Sequence, residues 1–125
     1  MTVNDPDFGN PNKAPELITL AGDARLWLWR DALPASLCGS LQAALNAQLD
    51  WQQPQVQVFG RSYTVPRLTA WHGDAGIPYR YSGHQHVAEG WPAPLLPVRD
   101  AVSALCGHRF NSVLANRYRN GRDCM

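Results

Sequence analysis

Hydrophobic and polar residues change their period several times along the chain, and each change marks a predicted element. "LITL" (17–20) and "ARLWLWR" (24–30) read as two short strands. In the second, Leu26, Leu28 and Arg30 alternate with Trp27 and Trp29, so both faces are expected to be covered rather than one left wet. "LPASLCGSLQAALNAQLDW" shifts to a spacing of four. Leu37, Leu41, Leu45 and Leu49 form the buried stripe of a helix that begins at or just after Pro34, a residue tolerated in a first turn. Gly39 weakens this helix by ~1 kcal/mol relative to Ala, so tertiary packing must hold it.

"VQVFGRSYTVPRLTAWHG" returns to a period of two and predicts a hairpin that turns at Gly60-Arg61 and continues through Tyr63, Val65, Leu68 and Ala70. The proline-rich "EGWPAPLLPVRDAVSALCGH" holds a second helix, with Leu95, Val98, Val102 and Leu105 on one face and Gly107 as its stop signal. "RFNSVLANRYR" alternates again. Phe110, Ser112, Leu114, Asn116 and Tyr118 share one face of that strand; Asn111, Val113, Ala115 and Arg117 share the other. Residues 1–15, with three prolines and few apolar side chains, predict a disordered lead.

With 125 residues, 45% of them hydrophobic and 17% charged, the chain fits one globular domain. No apolar run approaches the roughly 18 residues of a membrane span, and the opening residues are unlike a signal peptide, so the expectation is a cytoplasmic protein with no membrane partner. Cys38, Cys106 and Cys124 are odd in number and lack zinc-ligand spacing; they are expected to be reduced thiols. The net charge is only +1, but its distribution is lopsided. Residues 1–50 carry three basic side chains against six acids, and residues 51–125 carry eight arginines against four acids. The second part is therefore the anion-facing one. Arginines suit bidentate phosphate contacts, although a set of solvated arginines would look the same in sequence.

Candidate chemistry concentrates late in the chain. Asn116 and Tyr118 leave one face of a strand two residues apart, so an amide and a phenol can reach one small ligand. The same spacing also describes a strand emerging into solvent. Tyr79 and Tyr81 alternate and fit either ordinary sheet positions or stacking surfaces. His84 and His86, with His72 upstream, offer imidazoles to a metal such as zinc. No carboxylate or cysteine completes a set nearby, and the segment lies between a Ser-Gly turn and a Gly-Trp-Pro loop. Exposed loop histidines are the reading adopted.

Beyond spacing, "LANRYRNGRDCM" resembles the start of the signature of the AlkB family, the Fe(II)- and 2-oxoglutarate-dependent dioxygenases that remove alkyl groups from nucleic acid bases. The similarity continues upstream through "FNSVLANRYR", "YRYSG" and "VQVFGRSYTVPRLTAWHGDAG", covering roughly residues 55–125. The resemblance implies that Asn116 and Tyr118 hydrogen-bond 2-oxoglutarate. Phe59 would fill or probe the gap left by a flipped base and Arg67 would sit near the substrate. Tyr79 and Tyr81 would border the base pocket, with Ser82 supporting it. Reading a base out of its stack by aromatic faces is physically apt, since each stacked base contributes about 1–3 kcal/mol.

The resemblance further implies an α+β, mostly β fold. Residues 16–125 would be the N-terminal portion of a double-stranded β-helix (a cupin-like jelly roll) with two flanking helices and a nucleotide-recognition lid. It places the His-x-Asp part of a two-His, one-carboxylate iron site at or just past residue 125, with a second histidine and two arginines further on. The expectation is an incomplete domain with no metal ligand and no catalytic residue of its own. The intact form would dealkylate DNA or RNA, as a monomer; the 125 residues alone would be inactive and prone to associate through an open sheet edge. The alternatives are a non-catalytic nucleic-acid-binding fragment and a gene fragment without function.

Overall fold

The structure is a computed structural model that describes residues 14–81 and 83–125. The expected disordered lead, apart from its last two residues, and Ser82 lie outside the described residues, as does the side chain of Tyr81. The described residues form small antiparallel ribbons and two helices, a mixture of strand and helix.

Strands β1 (Glu16–Thr19) and β2 (Arg25–Leu28) pair across a turn containing Gly22, whose φ of 71° favours glycine. The covered faces expected for β2 are not found: Leu26 is 46% and Trp27 52% exposed. Alternation shows which side chains share a face, and burial of either face needs a partner layer. Strands β3 (Gln55–Val58) and β4 (Arg61–Thr64) make the second ribbon. Its turn falls on Phe59-Gly60, one residue earlier than expected, with φ of 48° and 74° at those two positions. A two-residue hairpin loop with positive φ at both centres twists in the sense the strands require.

Strand β5 (Leu68–Gly73) does not continue that hairpin. It pairs with the distant β8 (Ser112–Arg117), in a register that sets Ala70 opposite Ala115 and Thr69 opposite Asn116. Gly73 is obligatory here, because an added Cβ would lie 2.7 Å from the Cα of Ser112. Strands β6 (Pro78–Tyr81) and β7 (His84–Val87) form the remaining ribbon. His84 and His86 therefore stand on a strand, which corrects their placement in a loop; Gly83, with φ of 81°, supplies the tight reversal before them.

Helix α1 (Ala35–Gln48) starts after Pro34, and helix α2 (Leu96–Cys106) follows a short 3-10 turn and ends at Gly107 in the left-handed conformation. The leucine stripe of α1 points the expected way, but full burial is reached only at Leu49, just past the helix end. Leu49, Ala70 and Leu95 form the buried core, against which Leu45, Trp51, Trp91, Val113 and Ala115 pack. The two alanines facing each other across β5 and β8 let the end of α1 and the 3-10 turn approach the sheet closely. That face of the ribbon is covered at Ala70 and Ala115, while a cavity of about 190 Å³ remains beside Val113, Leu95 and Trp91.

Candidate functional site

Opposed residues in an antiparallel pair share a face, so the register puts Thr69, Trp71, Leu114 and Asn116 together on the side away from the core. Ribbon β6–β7 leans over this face. The Tyr79 ring stacks on Trp71 at 4.8 Å between centroids and 23° between planes, and Trp71 Nε1 donates to the Ile77 carbonyl at 3.1 Å. Gln52 adds to the sheet edge through reciprocal backbone hydrogen bonds with Thr69, both 2.8 Å. The cleft between Gln52, Arg67, Trp71, Tyr79 and Leu114 encloses about 30 Å³ and opens to solvent. The enclosed space admits little more than a water molecule or two, so a larger ligand would seat across its open mouth.

Arg67 joins the cleft to the end of β8. It lines the cleft, its Nε donates to Asn116 Oδ1 at 3.2 Å, and its Nη1 donates to the Cys124 carbonyl at 3.4 Å. Cys124 in turn donates its backbone N–H to Pro66 at 2.9 Å, so the residues after β8 fold back onto the start of β5. Within that return, Asp123 accepts from the backbone N–H, Nε and Nη2 of Arg119 at 2.8, 2.8 and 3.0 Å. These hydrogen bonds hold its carboxyl below the usual carboxylate value, and its side chain is only 6% exposed. Behind the sheet, His72 Nε2 accepts from the Asp50 backbone N–H at 3.4 Å. Burial pushes its pKa below 6.5, against a smaller upward pull from Asp50.

The sequence-derived candidates separate into two groups. Arg67 and Tyr79 line the cleft and Asn116 joins it through its bond to Arg67, whereas Tyr118 lies just beyond β8 and is 46% exposed. Phe59 is fully exposed at the tip of β3–β4. The base of this hairpin belongs to the cleft, since Pro54 and Val65 line it, but four strand residues carry Phe59 roughly 13 Å away. Sequence reasoning missed Thr69 and Trp71 as cleft residues, although they alternate in the same strand. It also missed the inward aspect of His84 and His86, which line the cleft beside Tyr79. Among the described residues no three His, Cys, Asp or Glu side chains gather as a metal site, and no helix is long and apolar enough to cross a membrane. The three cysteines are free and exposed.

No protein-family model matches the chain. It is 46% identical over 69 residues to the Homo sapiens DNA oxidative demethylase ALKBH2, a match covering 55% of this chain and 26% of that protein. The Arabidopsis thaliana ALKBH2 is 37% identical over 83 residues, 63% of this chain and 26% of the relative. The Homo sapiens alpha-ketoglutarate-dependent dioxygenase alkB homolog 3 is 40% identical over 63 residues, 50% of this chain and 21% of the relative. The chain thus spans about a quarter of the length of the curated relatives it matches, and over about half its own length it is AlkB-like.

Proposed function

We propose that these residues form the substrate-facing portion of an AlkB-like dioxygenase that, in its intact form, removes alkyl groups oxidatively from DNA bases with Fe(II) and 2-oxoglutarate. The observation that carries this reading is Arg67, which lines the aromatic cleft and also donates to Asn116. Substrate-side and cosubstrate-side residues of the resemblance meet at that one side chain. The names of the relatives, DNA oxidative demethylase and alpha-ketoglutarate-dependent dioxygenase, support the same chemistry.

In this reading the cleft takes the base. Trp71 and Tyr79 supply stacking surface. Phe59 enters the space the base vacates. A non-glycine residue with positive φ and no covering partner is costly to the isolated hairpin, and such strain is often kept where a contact needs it. Asn116 and Tyr118 offer an amide and a phenol, donors that fit a carboxylate-bearing cosubstrate. Held by these residues, 2-oxoglutarate would supply two of the four electrons that reduce dioxygen by its oxidative decarboxylation to succinate and CO2; the alkyl C–H bond would supply the other two, and the hydroxylated group would leave as an aldehyde. The described residues do not themselves form an iron site. Its ligands belong, on this proposal, to a following segment of the intact form, in which β5–β8 is part of a double-stranded β-helix.

The test compares the 125-residue chain with the coding region continued past the Met125 codon, each supplied with Fe(II), 2-oxoglutarate and a methylated DNA oligonucleotide. Equal amounts of succinate and formaldehyde are expected from the continued form only. Stoichiometric release by the 125 residues would refute their inactivity, and none from the continued form would refute the dioxygenase reading. Methylated RNA in parallel separates the two nucleic acids. A binding module without turnover is the second reading, favoured because the cleft and the exposed Phe59 both lie within this chain.

A further inference from the structure

We propose that His84 and His86 are nucleic-acid-binding residues: protonated, they pair with phosphates beside the base held in the cleft, so strand affinity rises as pH falls. The inference rests on the reading of the cleft as a nucleic-acid site and adds to it a contact and a dependence on pH.

The register of β6–β7 sets His86 opposite Tyr79 and His84 opposite Tyr81, so both imidazoles leave the ribbon on the Tyr79 face. Both line the cleft, His84 exposed and His86 half-buried. The other face of the ribbon satisfies itself, Arg80 Nη2 donating to Gln85 Oε1 at 3.2 Å. Among the described residues neither His84 nor His86 has a hydrogen-bond or ion-pair partner, which leaves their ring nitrogens available to a ligand.

The surroundings select the sign of that ligand. Across the cleft the imidazoles face Trp71, Leu114 and Arg67; Arg67 is the charged side chain there, and no Asp or Glu lines the space. Glu89, two residues past the end of β7, is exposed and outside it. A cationic ligand finds no counter-charge in this cleft, whereas an anion meets Arg67 and two imidazoles, side chains that donate from both ring nitrogens and carry positive charge when protonated. Two imidazoles without a third ligand are a poor metal site. Positions two apart on a strand are separated by about 6.7 Å, enough to reach successive points along an extended polyanion rather than one small ion.

The experiment measures binding of the 125-residue chain to an unmodified single-stranded oligonucleotide at pH 5.8 and 8.0 across a salt series. Each added phosphate contact steepens the slope of log affinity against log salt by ~0.7 for single strands. The slope at pH 5.8 is therefore expected to exceed that at pH 8.0 by about 1.4, an extra loss of roughly sevenfold between 50 and 200 mM salt. The H84Q/H86Q variant is expected to lose this difference, and H108Q, outside the cleft, is expected to keep it. Melting curves at both pH values establish that each protein is folded. The single variant H84Q, at an exposed position, provides half the effect should the double variant unfold. Equal slopes in the unsubstituted chain, or a pH effect that survives H84Q/H86Q, would overturn the histidine contact and leave the cleft reading standing. No binding at either pH would overturn the histidine contact and the binding-module reading, while the dioxygenase reading is decided by the turnover assay of the continued form.

Discussion

Two ribbons of the same backbone geometry behave in opposite ways. Ribbon β3–β4 joins neighbouring segments through a two-residue turn, exposes every residue but Val56, and ends in a fully exposed phenylalanine. Ribbon β5–β8 joins segments some forty residues apart, buries Ala70 against the core and holds its polar residues through specific partners. Closing the larger loop costs more chain entropy, which only burial on the core face can offset. The difference shows how labour is divided: the long-range ribbon fixes a cleft in place, and the local ribbon holds an apolar side chain out in solvent.

The strongest way to break this comparison is to remove the support of β5–β8. Leu95→Ala deletes buried volume where the 3-10 turn meets Ala70 and is expected to cost about 2–5 kcal/mol. Gly73→Ala forces a Cβ against the backbone of Ser112 and is expected to cost about 1–3 kcal/mol, because backbone rather than a flexible side chain must yield. Chemical denaturation would read both. Hydrogen exchange should show faster opening of β5 and β8 while the β3–β4 amides stay unchanged; equal acceleration in the two ribbons would mean that they are not energetically separate.

The same contrast explains what was legible in the sequence. The local hairpin, both helices and the stop at Gly107 follow from periodicity and turn chemistry. The alternation of 112–117 assigned Leu114 and Asn116 to one face, which is the cleft side observed. It could not name β5 as the partner strand, because the pairing of 68–73 with 112–117 is selected by the core beneath them. Nor could it show that Trp27 would stay exposed, since two alternating faces look alike until another layer covers one. The turn moved to Phe59-Gly60, whose φ values of 48° and 74° are those of a type I′ loop, positive at both centres, and the first of them was accepted despite being phenylalanine. Roles for Asn116 and Tyr118 came from the resemblance; the bond from Arg67 to Asn116 is a tertiary fact.

A pH experiment sharpens the comparison with a smaller effect. Folding lowers the pKa of His72, on the core side of β5, from 6.5. The unfolded chain then binds the proton more readily, so stability contributed by neutral His72 is present above pH 6.5 and is lost as pH falls through the lowered folded value. The denaturation midpoint should decline across this window, and His72→Gln should flatten that decline. A decline of equal size in the variant would assign it to the other histidines. Because His72 retains appreciable contact with solvent, the change is expected to be modest beside that of Gly73→Ala.

The smallest effect tests the exposed ribbon and carries the opposite sign. Phe59 holds φ of 48° with its ring uncovered, so the isolated hairpin gains nothing from the ring to offset an unfavourable backbone region. Phe59→Asn places Asn-Gly at the turn, the pair that a type I′ loop accepts best, and should slow hydrogen exchange across β3–β4 by an amount equivalent to on the order of 1 kcal/mol or less. Global stability should hardly move, because β3–β4 contributes little to the core. If Phe59 is there to contact nucleic acid, the same substitution weakens duplex binding while firming the hairpin. A variant that is firmer and binds equally well would leave the strained aromatic without a purpose, and would remove the functional half of the contrast between the two ribbons.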